Sequence, residues 1–137
     1  MNYYFLSSHG SLASGMKSSV DILCGSSENL TVFDAYLDER SVYSVLDKYF
    51  NQIPENASVY LLSDLYGGSV NQAMATFLER PNTHLISGVN LALVLELVNT
   101  NIELTEENGN CNTIFYTGLS DNKQCCSYCF GVMLNFV

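Results

Sequence analysis

The sequence predicts an open α/β domain, a mostly parallel sheet with helices on both faces. Three observations carry this. Short apolar runs alternate four times with stretches of helical periodicity, loops rich in glycine, serine and asparagine separate them, and no segment reaches the ~18 apolar residues that span a bilayer. Alternation at this spacing implies parallel neighbours joined by right-handed crossovers, which brings the loops that follow the strands to one edge of the sheet. With 137 residues, 47% of them hydrophobic, the chain can form one domain over residues 1–137 with a substantial core.

Residues 3–7 read as the first strand, an apolar run that leads into Ser8-His9-Gly10. A helix follows over about residues 11–26, with Leu12, Met16, Val20, Leu23 and Cys24 at three- and four-residue steps. Leu30 to Tyr36 is the second strand. Val42, Val45, Leu46, Tyr49 and Phe50 repeat at helical spacing, and the turn around Pro54 ends that helix. Residues 58–63 form a buried strand. Ser69 is placed to cap a helix that runs through Ala73, Met74, Phe77 and Leu78 and stops at Pro81. His84 to Ser87 is the fourth strand, and the Leu/Ala/Glu content of Leu91 to Val98 favours helix. Beyond Thr100 the pattern weakens to a turn at Asn108-Gly109-Asn110 and a short strand at Thr113 to Thr117. In the apolar tail from Cys129 to Val137, Phe130, Val132, Leu134 and Phe136 alternate as an extra C-terminal edge strand would.

Composition excludes several functions. Five basic against 14 acidic residues give a net charge of −9, which repels nucleic-acid phosphates and anionic membranes. The amino terminus lacks the basic region and small-residue cleavage site of a secretory signal, so the expected compartment is the cytoplasm. Cys24, Cys111, Cys125, Cys126 and Cys129 are odd in number and unevenly placed, which fits reduced thiols. The Cys126 to Cys129 spacing lacks the second pair that a zinc site needs, and no GxGxxG or GxxxxGK[ST] run is present. No metal or cofactor is called for. A flavin or nucleotide protein is disfavoured on the same grounds.

Three loops fall at the carboxyl ends of strands: His9-Gly10, the run Asp64 to Ser69, and Ser87 to Asn90. Each has an ordinary structural reading by itself, as a surface histidine, a cap or a turn. Their convergence on one cleft points to chemistry. A neutral imidazole nitrogen attacks phosphorus well, and a carboxylate that accepts the proton of the other ring nitrogen fixes the tautomer and steadies the imidazolium that forms. His9 and Asp64 take these roles. The amides of Gly67, Gly68 and Ser69 are the expected donors to phosphoryl oxygens, and Gly10, Ser87 and Asn90 the expected cleft lining.

Over about Tyr3 to Val98 the chain resembles the EIIA component of mannose-family sugar phosphotransferase systems, the mannose/fructose/sorbose type. The ordered motifs are Ser8-His9-Gly10 with Ala13-Ser14-Gly15, Asp64-Leu65-Tyr66-Gly67-Gly68-Ser69 with Asn71 and Ala73, and Ser87-Gly88-Val89-Asn90-Leu91. The resemblance implies a flavodoxin-like topology and a homodimer. It implies a phosphotransferase in which His9 takes phosphate from phospho-HPr and passes it to an EIIB component, with membrane EIIC and EIID engaged indirectly. Asp64 matches the carboxylate that pairs with that histidine. Val70 stands where the family often has proline, and the carboxyl third departs from the family's helical pattern. The same domain could instead serve a regulator, or act as the phosphodonor subunit of a dihydroxyacetone kinase.

Overall fold

A computed structural model describes residues 1–100, 113–117 and 120–126. The elements are β1 (Asn2–His9), α1 (Leu12–Cys24), β2 (Leu30–Ala35), α2 (Val42–Phe50), β3 (Ser58–Ser63), α3 (Ser69–Ala75), β4 (Thr83–Ser87), α4 (Leu91–Thr100), β5 (Thr113–Thr117) and β6 (Ser120–Cys126). The sheet order is β2-β1-β3-β4-β5-β6. The first four strands run parallel, and β5 and β6 join as an antiparallel hairpin on β4.

The central strands are buried on both faces, so their side chains alternate between two cores. Tyr4, Leu6, Tyr60 and Leu62 face α1 and α4, meeting Val20, Leu93, Val94 and Leu97. Phe5, Val59 and Leu61 face α2 and α3, meeting Leu46, Tyr49, Val70 and Met74. The phenol of Tyr4, buried on the first face, donates to the Leu97 carbonyl at 2.7 Å, which satisfies its one strong polar group. β1 lies between β2 and β3, and the chain leaves β1 and β3 toward opposite faces. A crevice opens outside the carboxyl ends of two such strands.

The boundaries that bear on the site differ from the sequence reading. β1 continues to His9, because Ser8 and His9 pair in register with Asp34 and Ala35 of β2; the histidine closes the strand and does not sit in a loop. Gly68 occupies the N-cap of α3. That helix ends at Ala75, and Phe77 and Leu78 continue in tight turns that bond back to Met74 and Ala75. Strand β6 was not expected: Ser120 to Gln124 is polar throughout and offers no apolar alternation to read. The apolar tail from Cys129 to Val137, and the edge strand and dimer contact expected of it, lie outside the described residues.

Candidate functional site

The parallel register of β1 and β3 pairs Ser7 with Ser63, so Asp64, one residue past β3, arrives beside the end of β1. There a single carboxylate oxygen, Asp64 Oδ2, accepts from the His9 backbone amide at 2.9 Å and lies 2.8 Å from the His9 ring Nδ1. Main chain and side chain of the histidine are thus fixed by one group. Burial opposes the charge of Asp64, yet the His9 amide, the His9 ring and its charge, and the Leu65 amide together hold its pKa below the ordinary carboxylate value. An ionised carboxylate only accepts, so the ring presents Nδ1–H to it and carries its lone pair on Nε2. Asp64 is largely covered, with 13% of its side-chain surface exposed, whereas His9 retains 43%.

The next layer sets Nε2. Gly10, at φ +64°, turns the chain away from β1, and its amide bonds the Ala35 carbonyl at 3.0 Å. The Ser8 hydroxyl accepts from the Ala13 amide at 2.7 Å and starts α1. Across the crevice Gly67, at φ +72°, makes the turn into α3, and a Cβ on Gly68 would touch His9 Cε1 at 3.4 Å. The turn leaves the Ser69 hydroxyl 3.3 Å from His9 Nε2. Tyr36, just beyond β2, hydrogen-bonds the Ser69 hydroxyl and stacks on the imidazole with ring centroids 5.3 Å apart.

His9, Gly10, Asp64, Gly68 and Ser69 therefore meet at one sheet edge. Two other expectations are corrected, for the glycine amides and for Ser87. The Gly67 amide donates to Asn71 Oδ1 at 3.1 Å and the Gly68 amide to the Leu65 carbonyl at 3.3 Å, so these two donors already have partners inside the loop. Ser87 does not line the cleft. It is buried, and its hydroxyl receives Asn71 Nδ2 at 2.5 Å, while the same nitrogen reaches Ser63 Oγ at 3.0 Å. Asn90 caps α4, its Oδ1 accepting from the Leu93 amide at 3.0 Å. Two residues went unassigned in the sequence. Asn71 had a signal, an asparagine inside a helix one turn past a glycine pair, where it can bond backward. Tyr36 carries no such signal, since in the sequence it is only the end of a strand.

Exposed apolar side chains stand next to these residues in the chain: Leu12, Leu37, Leu65 and Tyr66. A groove of about 600 Å³ runs from His9 along Leu12, Gly15 and Met16 to Leu91. Among the described residues no group of three or more His, Cys, Asp and Glu side chains could hold a metal ion, and no helix is long and apolar enough to cross a membrane.

Known proteins share this arrangement of elements. A model of the family described as PTS system fructose IIA component matches residues 4–114. The PTS system fructose-specific EIIA component of Bacillus subtilis (strain 168) is 30% identical over 97 residues, which span 68% of this chain and 66% of that relative. The crystal structure of a candidate phosphoenolpyruvate-dependent sugar phosphotransferase system permease from Klebsiella pneumoniae subsp. pneumoniae superimposes with a TM-score of 0.70 at 30% identity, covering 78% of this chain and 79% of that one. The mannose/sorbose specific IIA subunit from Enterococcus faecalis superimposes with a TM-score of 0.67 at 21% identity, over 77% and 82% of the two chains, a likeness of fold.

Proposed function

The chain belongs to the PTS system fructose IIA family, and on that premise we propose that it is a cytoplasmic phosphoryl carrier of a sugar phosphotransferase system, loaded on His9 Nε2 by phospho-HPr and discharged to an EIIB component. The observation that carries this reading is the double hold of Asp64 Oδ2 on the His9 amide and Nδ1, which leaves Nε2 as the ring nitrogen turned toward the Ser69 hydroxyl.

The transfer balances without a proton leaving the site. The Nε2 lone pair attacks the phosphorus of the donor's phosphohistidine, whose other ring nitrogen carries a proton; the new P–N bond forms, and the old one breaks with its electron pair staying on the donor nitrogen, so the donor leaves as a neutral imidazole. His9 keeps its Nδ1 proton throughout. The positive charge that spreads over the ring is met by the Asp64 carboxylate, which is largely covered and held 2.8 Å from Nδ1. The Ser69 hydroxyl, released from Nε2 when the lone pair is used, turns its O–H toward a phosphoryl oxygen. Discharge to EIIB runs the same steps in reverse. Much of the catalysis is positioning, since ring orientation and tautomer are set before the partner arrives.

The apolar side chains around His9 fit docking by two successive proteins, and the excess of acidic groups favours partners with basic contact surfaces. The test is to incubate the protein with phosphoenolpyruvate, the general phosphotransferase enzyme and HPr, follow intact mass, and then add EIIB. Uptake of one acid-labile phosphoryl group that disappears on adding EIIB is the expected result. Stable labelling that no EIIB discharges would favour a regulatory or kinase-phosphodonor role, and absence of labelling would overturn the carrier reading.

A further inference from the structure

We propose that Tyr36 is a positioning residue for the His9 reaction: its ring fixes the plane of the imidazole, and its hydroxyl holds the Ser69 hydroxyl against Nε2. The inference rests on the reading of His9 as phosphoryl acceptor. Tyr36 has a backbone φ of +69°, in the left-handed region that a bulky residue rarely occupies. Such placements persist only where their surroundings enforce them, and they cluster at functional sites. Core packing is not the cause here, because Tyr36 is 62% exposed.

Its contacts supply a cause. The bond from the Gly10 amide to the Ala35 carbonyl ties the end of β2 to the turn after His9, so the next residue, Tyr36, must pass the imidazole. Its ring lies on His9 with an interplanar angle of 21°, and its hydroxyl meets Ser69 Oγ. With Nδ1–H given to Asp64, the donors line up in one direction: the Tyr36 O–H to Ser69 Oγ, and the Ser69 O–H to Nε2. The Tyr36 hydroxyl acts through Ser69, fixing the rotamer from which that hydroxyl reaches first the lone pair and then the phosphoryl group. The π face of Tyr36 also favours the imidazolium charge that builds during transfer.

The experiment compares the parent protein with Tyr36→Phe, Tyr36→Leu, Ser69→Ala and the double variant Tyr36→Phe/Ser69→Ala, by single-turnover transfer from phospho-HPr and by the ¹⁵N resonances of the His9 ring in the unphosphorylated protein. Tyr36→Phe keeps the stack and loses the hydroxyl, and transfer should slow about fivefold, the scale of one neutral hydrogen bond. Tyr36→Leu loses both and should slow transfer further. The double variant should be no slower than Ser69→Ala, because the Tyr36 hydroxyl has no second route to Nε2. The Nε2 resonance should move in the same direction in Tyr36→Phe and Ser69→Ala, a shift that a change in stability alone would not produce. A Tyr36→Phe protein with parental rate and an unmoved Nε2 resonance overturns the proposal, as does a double variant in which the two losses multiply. A parent protein that takes up no phosphate overturns the carrier reading itself, and with it the role of Tyr36 in the transfer.

Discussion

One oxygen of Asp64 governs two groups of His9, so the smallest change that tests the pair is Asp64→Asn. The amide keeps the shape but can present an N–H to Nδ1, which would drive the proton to Nε2 and remove the attacking lone pair. Single-turnover transfer should slow roughly 10²-fold or more, with the fold retained. The same carboxylate gives a signed pH effect. Its folded pKa is lowered, so its stabilising contribution is complete above the ordinary carboxylate value, about 4, and is lost as pH falls through the lowered value. Urea midpoints of parent and Asp64→Asn should differ above about pH 5, and the gap should close in acid. Asn71 is the buried counterpart: it joins the Gly67 amide to the Ser63 and Ser87 hydroxyls, so Asn71→Ala leaves several polar groups unpaired. A loss of about 2–4 kcal/mol in urea denaturation is expected. The meeting of His9, Asp64 and Ser69 was legible because each stands at the end of a strand or the start of a helix, on one edge of a parallel sheet. Ser87 was misread because a serine at a strand end gives no sign of which way it faces. Tyr36 was missed because a positive φ at a tyrosine leaves no mark in the sequence.

The elements do more than carry these residues; they decide which of them meet. Extension of β1 to His9 gives the histidine a ladder partner in Ala35, and the β1–β3 register then sets Asp64 against it. The alternation of apolar runs and helical periods was enough to place four strands and four helices, since buried parallel strands are continuous and their helices amphipathic. Helix ends were harder. α3 was expected to run past Phe77 on its apolar spacing, but that side chain packs equally well from a turn, stacking on Phe50 with centroids 5.2 Å apart. β6 has no apolar period, and its pairing with β5 is a backbone matter that composition does not encode. The Asn90 cap yields a prediction that separates structure from chemistry. Asn90→Ala should cost about 1 kcal/mol in thermal or urea denaturation, through the lost bond to the Leu93 amide, and should leave phosphate uptake at the parental rate. A sharp loss of uptake with unchanged stability would give Asn90 a role in the cleft beyond its cap.

The described residues join an excess of acidic groups to the sheet edge that carries His9, bordered by apolar side chains, with two separate cores behind it. The division has a mechanical consequence. Tyr4 and Leu6 on one face and Phe5 on the other hold β1 from both sides, so the end of the strand that bears His9 is anchored while the imidazole stays accessible. Substitution of the exposed histidine should therefore leave the fold unaffected, which makes it the cleanest probe of the chemistry. If His9 is the single phosphoryl acceptor, intact mass of the parent and of His9→Ala after incubation with phosphoenolpyruvate, the general phosphotransferase enzyme and HPr shows it directly. One acid-labile phosphoryl group on the parent and none on a folded His9→Ala protein is the expected result; undiminished labelling of that variant, at His84 or anywhere else, would rule out His9 as the acceptor.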